Sequence, residues 1–499
     1  MLSNVAMLKV RIEMKGTGHF SGKIVVVGGG SVSQCTLPIL LKELAIAPSA
    51  ITLLDFVDVS GRFEDSIAQG VQFEQVRITR ENFREELGRR LSRGDVLLDL
   101  GWNTGTVEII DWCHGEGILF LNTSVEEWDP YADTERTDPR KYTLYQRQMR
   151  LRELVKRWGG TSGPTAIVDH GANPGLVSHF TKRALSEISG ALLEMGVVAE
   201  RRSSLERALG NKDYKAMAKH AGVKVIHISE RDSQIATKPK QVNEFVNTWS
   251  VEGLYEEGVA PAEMGWGTHE RALPAGGLEF TDGPKNAICL GAMGVNTWVR
   301  SWVPSGPIVG MVIRHGEAFG ISDRLTVWEG DRAVYRPTVH YVYCPSDATI
   351  ASLHELRMSQ YRLQKKQRIM NEEIVHGVDE LGVLLMGHDL NAWWSGTVLD
   401  IHEARRLVPG QNATTVQVAI SVVAALQWML RNPTRGVCLP DDIDADEILQ
   451  FCAPYLGRIV SERVTWHPVR DLDTSLSSLS GAKPALDDPW QYSVFSYGT

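Results

Sequence analysis

The chain is poor in the features that mark secreted, metal-bound or membrane proteins. Its 499 residues hold six cysteines, at 35, 113, 289, 344, 438 and 452, and no C-x-x-C pair. That spacing excludes a zinc ribbon and predicts a reducing compartment, the cytoplasm. There, the sequons at Asn122 and Asn412 carry no meaning. Residues 1–20 are mixed and polar, without the apolar core of a secretory signal, and read as a polar extension. No apolar run is expected to span a bilayer. The net charge is −9 and no basic stripe occurs, which argues against a nucleic-acid partner. His269-Glu270 and His354-Glu355 lack the second histidine of H-E-x-x-H, so no metal is assigned. Walker A and G-x-S-x-G motifs are missing, as is any internal repeat. What remains is an ordinary globular composition, 43% hydrophobic and 23% charged, long enough for two domains.

What is present begins at Lys23-Ile-Val-Val-Val-Gly-Gly-Gly-Ser-Val-Ser33. A β-branched run ends in three glycines and leads into a helix predicted over 34–46. This nearly matches the dinucleotide fingerprint G-x-G-x-x-G. Gly28 permits the tight turn, and Gly30 lets backbone N–H groups approach a pyrophosphate at the helix N-terminus. Ser33 replaces the third glycine, which predicts slightly looser packing of helix on strand. A second strand over 50–56 ends at Asp55, where an acid accepts from a ribose 2′-hydroxyl and repels a 2′-phosphate. That favours NAD over NADP.

Strand and helix continue to alternate: strands near 95–101, 117–124 and 165–170, helices over 107–115 and 141–158. This predicts an α/β fold, a Rossmann-type doubly wound parallel sheet. Ligands of such sheets bind beyond the carboxyl ends of the strands, so Asn103, Glu126, His170 and Asn173 face the cofactor cleft. Ser31 and Val32 just after the glycines, Thr104 beside Asn103 and Ala172 beside His170 join the candidate cofactor contacts. After a helix starting at Leu176 the pattern changes to strands over 223–230, 242–250, 309–317, 323–328 and 338–343. That predicts a mixed sheet in an α+β domain for substrate and dimerisation. Residues 413–431 form an almost wholly apolar helix, buried or at an interface. The tail is Ser-rich at 474–482. The expected organisation is 1–20 extension, 21–170 NAD-binding domain completed by a helical segment near 405–436, 171–404 second domain, and 437–499 C-terminal segment.

In the second domain Glu230, Glu263 and Glu317 stand near Trp249, Trp266 and His315. Acids interleaved with tryptophans suit a ligand with spaced ammonium groups: carboxylates hold one by charge-assisted hydrogen bonds, an indole face another by cation–π attraction. Tryptophans are equally ordinary core residues and acids ordinary surface.

Longer motifs carry a resemblance. They are Gly171-Ala-Asn-Pro-Gly175, His227-Ile-Ser-Glu-Arg-Asp-Ser-Gln234, Val246-Asn-Thr-Trp-Ser-Val-Glu-Gly253, Glu263-Met-Gly-Trp-Gly-Thr268, Tyr335-Arg-Pro-Thr338, Asp379-Glu-Leu-Gly-Val-Leu-Leu385 and Gln411-Asn-Ala-Thr414. From about 22 to 490 the chain resembles the bacterial homospermidine synthases of the saccharopine dehydrogenase-like group. The resemblance implies a cytoplasmic homodimer that keeps NAD bound. It also implies aminobutyl transfer from putrescine or spermidine to putrescine through an imine and a Schiff base. By the same resemblance Glu230 and His315, with Asn173, handle binding and protons near the nicotinamide. Trp249 would hold the central cation, and Glu263 and Glu126 the distal ammonium groups, with Glu317 and Asn103 lining the amine site. Two positions depart from the family pattern: Asn103 stands for aspartate and His170 for cysteine. A saccharopine- or carboxyspermidine-type reductase is the alternative, since such substrates want arginines, and Arg231, Arg300 and Arg336 lie in the matched motifs. A non-enzymatic NAD-binding redox sensor is the other.

Overall fold

A computed structural model describes residues 20–130, 137–160, 162–470 and 488–497. The extension (except Phe20) and the Ser-rich 474–482 lie outside the described residues. Six strands open the chain: β1 (Ile24–Val27), β2 (Ile51–Asp55), β3 (Gln72–Gln75), β4 (Val96–Asp99), β5 (Leu119–Asn122) and β6 (Gly163–Ile167). With Arg435–Cys438 they make a seven-stranded parallel sheet, ordered Arg435–Cys438, β6, β5, β4, β1, β2, β3. Helices cover both faces, so β1, β4 and β5 are buried along their whole length and read as unbroken apolar runs. The strand order reverses beside β1, which opens a crevice between the ends of β1 and β4. Gly28 has φ +94°, and a Cβ there would lie 2.7 Å from the Leu100 carbonyl oxygen and 2.8 Å from Gly101 Cα. Only glycine lets the two strand ends come that close.

The helix predicted over 34–46 runs Ser31–Glu43, because Gly30 is its N-cap. The helix Ala413–Arg431 packs on Ser31–Glu43 and touches both main sheets. It is long and apolar enough to cross a membrane, which corrects the expectation that no such run exists; 89% of its most apolar window is buried in the protein. Burial on all sides is the reason it carries no polar face. The stretch 437–499 divides: Arg435–Cys438 straddles its start and completes the first sheet, while Arg458–Val464 joins the second.

The second sheet has ten strands. Its centre is Val225–Asp232, parallel to Thr338–Cys344 on one side and antiparallel to Val378–Met386 on the other. Tyr343 and Leu381 both pair with Glu230, and Asp379 with Asp232. Side chains alternate with period two, so Glu230, Asp232, Tyr341, Tyr343 and Asp379 share one face. The strands expected over 309–317 and 323–328 differ. Pairing stops at Met311, and Gly316–Arg324 is a helix capped by His315, followed by a short strand, Val327–Glu329. Every residue from Gly316 to Ser322 is buried there, so the run shows none of a strand's alternation.

Candidate active site

At the crevice, Asp55 accepts from two backbone donors: Gly29 N–H reaches Oδ2 at 2.7 Å and Val57 N–H reaches Oδ1 at 3.0 Å. The carboxylate is thereby fixed beside the glycine turn. Ser33 does not loosen the helix, as its hydroxyl donates to the Gly28 carbonyl and ties helix to turn. A Cβ on Gly30 would meet nothing within 4 Å, so the space before the helix N-terminus, with Ser31 and Val32 in its first turn, is open to a phosphate. Asn103 has φ 65°, and its Oδ1 is buried without a hydrogen-bond partner. Thr104 donates to Asp99 at 2.8 Å, and burial pushes that carboxyl up to about 6. His170 departs from its expected place. Its backbone N–H bonds to Asn122, but its imidazole is fully buried, with Nε2 3.1 Å from His179 and Nδ1 3.1 Å from Ser421. Burial holds it down at about 3, and the ring faces the interior between two helices instead of the cleft.

The loop Gly171–Gly175 presents Asn173. A cis Asn173–Pro174 bond and Gly175 at φ 131° fold it tightly enough that Pro174 O accepts from Gly171 N–H at 2.6 Å. Ala172 is buried in that loop. Asn173 Nδ2 donates to Glu230 Oε2 at 3.1 Å, and the same oxygen accepts from the Tyr341 hydroxyl. Burial lifts Glu230 to about 7, with Asp232 adding to the rise and Tyr341 opposing it. Beside it, Trp249 Nε1 donates to Tyr343 Oη at 3.0 Å, and a Cβ on Gly253 would lie 3.0 Å from the indole. The half-buried ring is pinned at its edge by these contacts.

His315 stands 4.3 Å from the Tyr341 ring. Its Nε2 lies 3.1 Å from Glu257 and its Nδ1 3.3 Å from Glu317. Burial alone would push the imidazole down, yet the two carboxylates outweigh it and hold it well above its ordinary value. The Nδ1 contact is poorly aligned, so neither Glu317 oxygen has a well-formed hydrogen bond although the side chain is 1% exposed.

Glu126 borders the same region. Its Oε1 accepts from Ser124 at 2.7 Å, and its Oε2 is 3.9 Å from Arg147. Burial, then the charge of Glu256, raises it to about 7. Glu256 itself is bridged by Arg147 and Arg314, whose charges overcome burial and hold it low. Trp102 from the first domain reaches Glu256 at 3.4 Å. A cavity of about 160 Å³ opens here, lined by Glu127, Tyr142, Arg147, Glu256 and Arg314. Glu263 behaves differently from the amine contact expected of it. It is fully buried, and its two oxygens accept from the N–H groups of Leu144 (2.7 Å) and Tyr145 (3.0 Å) at the start of helix Leu144–Arg157. That explains a carboxylate at this depth: it satisfies donors that a helix leaves free.

Glu257, Asp169, Tyr341 and Asp379 escaped the sequence reading. Glu257 follows Glu256 on helix Val251–Val259, which carries three glutamates in nine residues and gives no local sign of which one meets His315. Asp169 lies two residues past β6, just before the glycine loop. Arginines expected for a carboxylate substrate are engaged elsewhere. Arg300 donates to Pro468 and Val494 carbonyls, Arg336 to Thr326 and Lys285, and Arg231 to Ser305.

Comparison with known proteins follows the same division. Residues 24–167 match the saccharopine dehydrogenase NADP binding domain and 171–464 the saccharopine dehydrogenase C-terminal domain. Homospermidine synthase from Blastochloris viridis is 39% identical over 488 residues, 95% of this chain and 97% of that protein. The enzyme from Mesorhizobium japonicum is 37% identical over 490 residues, 95% and 96% of the two chains. The crystal structure of homospermidine synthase from Legionella pneumophila in complex with NAD superposes with a TM-score of 0.83 at 34% identity, over 96% of this chain and 98% of that one. Identity at this level along nearly the whole length, with the glycine turn, the Asn173 loop and the carboxylate-lined cleft in one molecule, places the chain in the homospermidine synthase family of the saccharopine dehydrogenase-like proteins.

Proposed function

We propose that the protein is a homospermidine synthase that uses NAD and transfers an aminobutyl group from putrescine to a second putrescine, with release of ammonia. Spermidine serves as an alternative donor, releasing 1,3-diaminopropane. The observation that carries this reading is the charge of the cleft. Among the described residues, Glu126, Glu230, Glu256, Glu257, Glu317 and Asp169 are set against Arg147, Arg314 and His315, and both arginines pair with Glu256. A surplus of buried carboxylates is costly without a cationic guest, and a diamine is such a guest.

The open space at Gly30 and the fixed Asp55 suit a dinucleotide without a 2′-phosphate, although the matched family is described by NADP. NAD, when bound, supplies reversible hydride acceptance. The chain's own work is proton handling and register. Glu230, near 7, is poised to take a proton from the reacting ammonium, while Asn173 and Tyr341 hold its carboxyl in place. The Trp249 face receives a cationic centre. Glu257 and Glu317, joined through His315, would fix the distal ammonium, and Glu126 would receive amines at the mouth. The Trp102–Glu256 contact closes the two domains over the substrate imine and Schiff base, which must be kept from water. The reading assigns 21–170 and the 405–436 return to cofactor binding, and 171–404 to substrate and dimer contacts. It takes the enzyme to be a cytoplasmic homodimer; the six free cysteines support a reducing compartment.

Purified protein given NAD and putrescine should yield homospermidine and ammonia by mass spectrometry, without net NADH. Stoichiometric NADH accumulation would overturn the closed redox cycle.

A further inference from the structure

Beyond Glu230 and His315, the cleft holds a carboxylate that the reaction scheme has not used. We propose that Asp169 is a positioning residue of the amine site, held by Gln148 against the helix that carries His315 and Glu317 so that its charge helps to keep the His315 imidazole protonated. The proposal rests on the functional reading above.

The placement is built from three elements. Asp169 sits just past β6 with φ 62°, a conformation that asparagine and aspartate tolerate better than other side-chain-bearing residues. Its Oδ2 accepts from Gln148 Nε2 at 2.9 Å, from helix Leu144–Arg157. The same oxygen would lie 2.7 Å from a Cβ on Gly316, so it presses on the first residue of helix Gly316–Arg324, whose cap is His315. A negative charge at a helix N-terminus is favoured. Asp169 is 5% exposed, and the charges of Glu317 and His315 both act on it, in opposite directions. The Glu317 oxygens beside it lack well-formed hydrogen bonds.

Among the described residues, Gln148 comes from one helix, His315 and Glu317 from the second, Glu257 reaches the cluster through His315 from Val251–Val259, and Glu230 faces His315 from the second sheet. The Val125 backbone and the Tyr341 ring complete the surroundings. Two carboxylates flanking one imidazolium repel each other. Both favour the charged imidazolium and so raise the pH at which His315 loses its proton. Burial and Glu317 lift Asp169 itself to about 7, although Gln148 opposes the rise. A diamine ammonium entering this site thus meets a His315 whose proton is held in part by a residue it need not touch.

The test is Asp169→Asn, which keeps the shape, the left-handed backbone and one acceptor oxygen for Gln148, and removes the charge together with the acceptor that faces the Val125 N–H. The limb of the pH dependence of kcat/KM for putrescine that follows His315 should shift toward acid by about one pH unit. The His315 imidazole, followed by NMR, should titrate lower by a similar amount. An unmoved limb with an unmoved His315 midpoint overturns the proposal, and so does a fall in kcat with both midpoints fixed, which would mark a purely structural residue. If the wild type fails to convert putrescine, the functional reading falls, and the NMR comparison still decides the role of Asp169.

Discussion

The cofactor end of the first sheet and the amine end of the second are built by different means. At the first, backbone does most of the work: Gly28 lets two strand ends touch, Gly30 opens a helix N-terminus, and Asp55 is held by two N–H groups within a few residues of the turn. At the second, side chains from at least five separated stretches converge: Asn173, Glu230, Trp249 with Glu257, His315 with Glu317, and Tyr341 with Tyr343. A backbone-made site tolerates change by degrees, whereas a side-chain-made site fails when one charge or proton is lost.

Glu230→Gln should break the amine end most sharply. The amide keeps the shape but cannot take a proton, so kcat should fall about a hundredfold or more. The same change should stabilise the protein. Glu230 titrates near 7 in the fold against an ordinary 4.5, so the folded state binds more protons than the unfolded state between those values. Its contribution to stability is full below 4.5 and is lost as pH rises toward 7. Thermal unfolding at pH 8 should therefore show the variant more stable, by up to about 3 kcal/mol, with the two proteins converging near pH 4. A variant less stable than wild type at pH 8 would mean that Glu230 is ionised and satisfied in the resting enzyme.

Trp249 should follow. Cation–π attraction of about 0.5–2 kcal/mol corresponds to a roughly two- to thirtyfold effect on kcat/KM. Trp249→Phe should keep part of the activity and Trp249→Leu less, with folding intact by circular dichroism. Equal activity of the two would make the indole a hydrophobic wall. At the cofactor end, Asp55→Ala should leave kcat nearly intact and chiefly erase the preference for NAD over NADP, by about tenfold, in direct binding measurements. A large loss of kcat there would break the contrast between the two ends.

The contrast also explains what could be read without coordinates. The parallel sheet, the glycine turn and Asp55 were legible because each depends on neighbours in sequence, as was the helix Ala413–Arg431, whose bounds hold to the residue. The amine site was legible only through family motifs, and these named positions without contacts. Glu263 lies in such a motif, yet its oxygens cap a helix that begins 119 residues earlier. Glu257 lies between two motifs and meets His315, 58 residues away. Nothing local distinguishes these two acids, because burial and partner are set by how the second sheet packs on the first domain. The apolar alternation at 309–313 likewise concealed a strand that ends at Met311 and a helix that starts at Gly316.

Glu263 offers a smaller and different kind of effect. Glu263→Ala strips the acceptors from two backbone N–H groups, a loss of about 1–3 kcal/mol in unfolding free energy. The KM for putrescine should stay within about twofold. A large rise in KM with unchanged stability would return Glu263 to the amine site and take Glu257 out of it.

Asn103 joins the two ends, and its substitution should have the smallest effect. Its left-handed backbone suits asparagine and aspartate alike, so Asn103→Asp changes charge with little strain. Its Oδ1 is buried and unbonded, which leaves it available to an ammonium. A neutral amide accepts such a hydrogen bond but lacks the Coulomb attraction of a carboxylate. The added attraction is opposed by desolvation and by repulsion from Glu126, itself already raised to about 7. The net gain should be about 1 kcal/mol, roughly fivefold in kcat/KM. Spermidine carries one more positive charge than putrescine, so its kcat/KM should improve more. Side-by-side measurement of both amines in both proteins reads the difference directly. If neither value moves beyond error, Asn103 serves the cofactor end alone, and the amine path does not pass the mouth of the first sheet.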